Sequence, residues 1–235
     1  MNLLDLFVVL IIVIALLEGF YRGFLCSVLS LSASFLSWLS AFIFYPALSH
    51  AVQGNVNIFN FLLYYTEGAE KIVDFEHTKL LVSQIEPAQL KTIIADANLP
   101  VPFGTLIQQN VVTNAFAHQG ITTLGDYFNL TIVNVVVNIL CFLMIYVIAR
   151  LVFSFIINAL NYTLKFPVLK QFDGVIGGGF GALRGVFTTF VVFIIVPVIL
   201  VMQPIPQVTE YVNASFLGSF FYRNNFLLNF IRGVI

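Results

Sequence analysis

"EGFYRGF", residues 18–24, stands between two apolar runs, "LLDLFVVLIIVIALL" (3–17) and "FLCSVLSLSASFLSWLSAFIFYPA" (24–47). Gly19 and Gly23 bracket Arg22 as G-x-x-R-G. About 160 residues later "GGGFGALRGVF" (177–187) repeats the device, with Gly181 and Gly185 around Arg184, again at the head of an apolar run. A charge between glycines at the edge of a hydrophobic stretch ends one span and opens the next. The short connection around Arg22 therefore predicts a hairpin of two membrane helices, and this reading decides the fold.

Composition points the same way. Hydrophobic residues make up 60% of the 235 and charged residues 9%, against about 25% charged in soluble domains; mean hydropathy is +0.99. The class is an integral membrane protein with the lipid bilayer as its medium. The formal net charge of −1 gives no basic footprint for nucleic acid. Cys26 and Cys141 sit far apart in apolar runs without a C-x-x-C and read as small buried fillers. The N-terminal run carries Asp5 and no basic leader, so it reads as a retained span rather than a cleaved signal.

Two further apolar runs, 130–149 and 186–202, complete an expected set of about four transmembrane helices in two hairpins, an all-α fold. The chain divides into hairpin 1 (1–48), a helical extracytoplasmic insertion (49–127), hairpin 2 with an interfacial amphipathic helix and the glycine-rich segment (128–202), and an aromatic interfacial tail (203–235). The short connections carry Arg22, Arg150, Lys165, Lys170 and Arg184, and the long stretch carries most of the acids. Basic short loops stay inside, so that face is expected in the cytoplasm and both termini outside. Within the insertion, residues 69–85 and 87–99 show apolar residues at helical spacing, with Pro87 suited to a helix start. A third helix is expected over 105–117. Past Arg150, Ser154, Asn158 and Asn161 share a face of a helix expected to run along the cytoplasmic interface and stop at Pro167.

Polar residues inside the spans follow the helical period. Ser27, Ser30, Ser34, Ser37 and Ala41 are spaced three and four apart and share one face. Such a stripe is a helix-packing seam or the wall of a polar path, and serine also bonds its own backbone. Thr131, Asn134, Asn138 and Cys141 share a face of the third span. Asparagine is costly in hydrocarbon unless paired, so this face meets another helix or subunit, or lines a conduit. Gly177, Gly181 and Gly185 recur every four residues and admit a close backbone, although glycine also weakens a helix. The two arginines can reach headgroups or take a carboxylate. Glu18, four residues before Arg22, and Asp173 are the acids in reach.

No motif calls for a cofactor or metal, and no catalytic set occurs. His50, His77 and His118 are scattered, and no H-E-x-x-H, G-x-S-x-G or phosphate-loop motif is present. An enzyme is not expected.

The opening span with its early Asp5 and its Gly19, Arg22 and Gly23 resembles the start of the colicin V production (CvpA) family. The stretch from residue 151 to 187, with Pro167, Leu169, Gly177, Gly181, Arg184 and Gly185, resembles that family's second block. The insertion resembles the enlarged form of Gram-positive members. The resemblance implies a bacterial plasma-membrane protein linked to toxin production or export and to envelope homeostasis, working through self-association or other membrane proteins. It also implies a distant likeness to small-conductance mechanosensitive channels, and with it an alternative reading as a channel or transporter subunit.

Overall fold

The structure is a computed structural model that describes residues 2–164, 173–202 and 206–234. Among these residues it is all-helical, with no strand beyond a single bridge between Leu81 and Thr123. Three helical stretches are long and apolar enough to cross a membrane: Leu3–Gln53, Leu124–Ala159 and Asp173–Met202. The Pro167 stop, Leu169, Lys165 and Lys170 lie outside the described residues, as does the side chain of Asn161.

The chain forms two units. The first comprises residues 1–45, 142–194 and 206–225. Its α1 (Leu3–Gln53, which continues past the unit) is broken at Gly23, whose φ of 80° and ψ of 175° leave helical space. Glycine alone takes that φ without steric cost. The break is a fold-back. Residues 18 and 30 would stand about 18 Å apart along a straight helix, yet one guanidinium touches both side chains. The helix before the break therefore runs through residue 22, past the apolar run of 3–17 and its expected extension through Gly19.

Beyond the fold-back, α6 (Leu124–Leu164) contributes its second part to this unit, running on through residues 151–164 without a break. α7 (Asp173–Phe193) takes the whole glycine run into regular helix, starting well before the expected Val186. The tail adds α9 (Pro206–Ala214) and α10 (Phe216–Arg223). Asp5, only 2% exposed, holds α10 in place: it accepts from Ser215 Oγ at 2.6 Å and from the Leu217 N–H at 2.9 Å. A buried carboxylate that takes two or three hydrogen bonds repays its desolvation.

The second unit comprises residues 46–141, 195–205 and 226–235. It contains the end of α1, α2 (Val56–Thr66), α3 (Phe75–Thr78), α4 (Pro87–Asp96), α5 (Phe103–Val112), the first part of α6, and α8 (Val196–Met202). α2 starts on Asn55, whose side chain accepts from the Asn57 and Ile58 N–H groups. Pro87 opens α4 as expected. The continuous helix expected over 69–85 is not formed. Asp74 caps a new one-turn helix by accepting from the Glu76 N–H. Leu81 is then extended ahead of a 3-10 turn over Val82–Gln84, with the Val82 N–H on the Thr122 carbonyl and the Leu124 N–H on the Leu80 carbonyl, both at 2.9 Å. Those long-range bonds outweigh the helical spacing of a mostly exposed segment. The third expected helix is shorter than 105–117 and begins earlier, at Phe103. Residues 194 and 195 form a turn between α7 and α8, because Pro197 has no N–H to bond back to Phe193. The core of this unit is the α6 face of Leu124, Phe128, Ile132, Val133 and Val136, with Phe103, Ile107, Leu227 and Leu228 from elsewhere in the chain.

Candidate functional site

The first unit carries the densest chemistry of the described residues, where α7 lies against the two limbs of the fold-back. The glycines set the distance. A Cβ added at Gly19 would come within 2.9 Å of Gly181 Cα, and one at Gly177 within 2.5 Å of the Gly19 carbonyl oxygen. At Gly185 it would stand 2.9 Å from Ile12 Cα, and at Gly181 it would overlap the Ala15 carbonyl. These neighbours are backbone and cannot swing aside. Asp173, in the first turn of α7, accepts from the Phe24 N–H at 2.8 Å. It thereby caps the helix that restarts after the break. A side chain at Gly23 would strike this carboxylate.

Arg184 leaves α7 toward the fold-back and is 7% exposed. Its Nη1 donates to Ser30 Oγ at 2.7 Å and its Nη2 to Glu18 Oε2 at 2.5 Å. Glu18 uses its other oxygen for Arg22, at 3.1 Å. Arg22 is half exposed and Glu18 about a third exposed, so the pairs grade from buried to wet. Arg150, on α6, donates from Nη2 to the same Ser30 hydroxyl at 3.0 Å. Its Nη1 is buried without a hydrogen-bond partner among the described residues. Tyr146, one turn before Arg150, is buried. Three guanidinium groups thus converge where the chain supplies one shared carboxylate.

The chain matches the family described as colicin V production protein over residues 4–85 and 110–225. It belongs to that family. No curated protein and no solved structure matches it. The family match spans the fold-back, the glycine run of α7 and the arginines between them, and it omits residues 86–109, which hold α4 and the start of α5.

In this family member, Gly19, Arg22, Gly23, Gly177, Gly181, Arg184 and Gly185 come together with Glu18 and Asp173 in one place. The two acids differ in partner: Glu18 meets arginines, whereas Asp173 meets backbone. Ser27, Ser30, Ser34 and Ser37 are all buried on the fold-back's second limb. Ser27, Ser34 and Ser37 donate to carbonyls four residues back, and only Ser30 receives arginines. Asn134 and Asn138 belong to the second unit. There Asn138 Oδ1 accepts from Ser49 Oγ at 2.6 Å, and its amide donates to the Arg232 carbonyl at 2.8 Å. Asn134 Oδ1 accepts from Gln53 at 3.0 Å. Sequence reasoning counted Arg150 only as a loop charge and did not pair Ser30 with any arginine. The signal for Arg150 was its place inside an apolar run, four residues after Tyr146, where a charge needs a partner. Among the described residues no group of three or more His, Cys, Asp or Glu is arranged to hold a metal.

Proposed function

We propose that this colicin V production family member is a four-span plasma-membrane protein, an accessory factor in peptide-toxin production or export and in envelope homeostasis, which acts through membrane partners and not as an enzyme. The observation that carries the reading is the family match over most of the chain together with its long apolar helices.

Two geometric facts support four spans over three. Residues 18 and 30 share one guanidinium, so the first apolar stretch counts as two limbs. Asp5 and Ser215 share a hydrogen bond, so the start and the tail lie on one side, which requires an even number of crossings. The arginines at the fold-back favour the cytoplasm for that end, and the close approach of the α7 glycines to the first limb supports a packing role for them. Cysteines introduced at Tyr21 and Thr78 should then label from opposite sides of intact cells, Thr78 from outside. Labelling of both from one side refutes the layout.

The functional reading is tested in a host that makes a colicin V-type toxin. Removing the gene for this chain should lower toxin release and sensitise the envelope to detergent, and the wild-type chain should restore both. Unchanged release and an unchanged envelope would sink the reading. For the channel alternative no observation speaks, since the Asn134, Asn138, Ser34 and Ser37 side chains have internal partners and are not presented to an open path.

A further inference from the structure

The charge balance of the arginine cluster is incomplete. A guanidinium stays charged at any ordinary pH and offers five donors in one plane. Arg184 is matched by Glu18, and Arg22 takes the same carboxylate. Asp173, the other acid nearby, accepts from the backbone at Phe24. Among the described residues Arg150 bonds only the Ser30 hydroxyl, which it shares with Arg184, and its Nη1 is out of water and unbonded. Its electrostatic neighbours include two more cations, Arg184 and Arg22, against the single acid Glu18. A buried charge in this position needs a counter-charge.

The geometry points to a phosphate group as that counter-charge: we propose that Arg150, Arg184 and Ser30 form an oxyanion site, with Arg150 the unfilled donor and Glu18 the internal competitor. Two guanidinium forks meeting at one hydroxyl suit a tetrahedral oxyanion, whose oxygens accept from several planar donors at once. Ser30, which accepts from both arginines, keeps its own proton to donate. The way in is the edge where Arg22 is half exposed and Glu18 a third exposed. A bound phosphate takes over donors that Glu18 now holds, so the carboxylate and the ligand exclude one another in part. The phosphate belongs either to an anionic lipid headgroup or to free inorganic phosphate, and the site's chemistry is the same for both.

The test uses the full chain in two arms. In the first, the protein sits in bilayers of a phosphate-free glycolipid, and binding of added phosphatidylglycerol is measured. In the second, delipidated protein in neutral detergent is titrated with inorganic phosphate and its thermal unfolding followed. Binding in the first arm alone assigns a lipid headgroup, and binding in the second assigns free phosphate; each supports the site. Arg150→Gln, which keeps a donor for Ser30 but removes the charge, should weaken the binding seen by about tenfold or more. Glu18→Gln should strengthen it, because the competitor is gone, an effect opposite to that of general destabilisation. Arg150→Lys, which retains the charge, serves if Arg150→Gln does not fold, and should bind more weakly than wild type. Absence of binding in both arms overturns the proposal. So does binding that is indifferent to the Arg150 change, or Glu18→Gln binding no better than wild type.

Discussion

The serines of α1 and the asparagines of α6 look alike in the sequence, as polar stripes at helical spacing inside apolar runs, and the folded chain uses them in opposite ways. Ser34 and Ser37 turn back on the carbonyls of their own helix. Asn134 and Asn138 reach across to Gln53, Ser49 and the Arg232 carbonyl, partners about 80 to 95 residues away. A hydroxyl that bonds its own helix is satisfied wherever that helix goes and specifies nothing about its neighbour. An amide has two donors and an acceptor to place and can place them in few arrangements, so it fixes a register. Ser30 is the exception on the serine side, because two arginines converge on it.

The comparison implies that neither stripe supplies the close backbone approach of the first unit; the glycines of α7 do. Gly181→Leu should therefore be the most damaging change, costing about 3 kcal/mol or more through overpacking, read as loss of folded, monodisperse protein from membranes. Wild-type yield would mean that α7 does not rest on residues 12–19. Asn138→Leu comes next. It leaves the Ser49 hydroxyl and the Arg232 carbonyl without a partner, and should cost about 2 kcal/mol. Combining it with Ser49→Ala should recover part of that cost, and strict additivity of the two would argue against the bond. Arg184→Gln and Glu18→Gln should couple in a double-mutant cycle by about 1 kcal/mol, kept small because Glu18 is partly in water. The mildest change is Ser37→Ala, within about 0.5 kcal/mol of wild type. A loss as large as that of Asn138→Leu would erase the distinction between the two stripes.

Apolar length and glycine spacing made the helices legible, and the G-x-x-R-G of residues 19–23 located the fold-back. What the sequence displays is which face of a helix is unusual. It does not display what that face meets. Asn138 and Ser49 are 89 residues apart, and Asp5 and Ser215 are 210 apart. No local pattern links such pairs, and only the assembled backbone brings them within bonding distance. The insertion misled for a related reason. Residues 69–85 have helical spacing, but Asp74 is an equally good cap for a fresh start, and the pairing with residues 122–124 is a long-range choice. α2 was open to reading from Gly54 and Asn55, a stop signal followed by a capping residue ahead of an apolar run. The arginine cluster was half visible. Two of its members stand in a motif, whereas the third, Arg150, carries no motif at all.

The tie between Asp5 and the Ser215–Leu217 segment has a consequence for biosynthesis. A ribosome makes the carboxylate almost first and its partners more than two hundred residues later, at about 5–20 residues per second. For the whole of that interval the first helix carries an acid that has the Asn2 N–H but lacks its two donors from the tail, so its start must remain in contact with water, the translocation machinery or protonated in lipid. The docking of α10 is thus a closing event, possible only after the other helices have been threaded. A chain interrupted before Ser215 would keep its spans and lack the latch. Its N-terminus should then remain open to protease in a way the finished protein's is not, and pulse-labelled cells would reveal the moment of closure as a late gain of protection there.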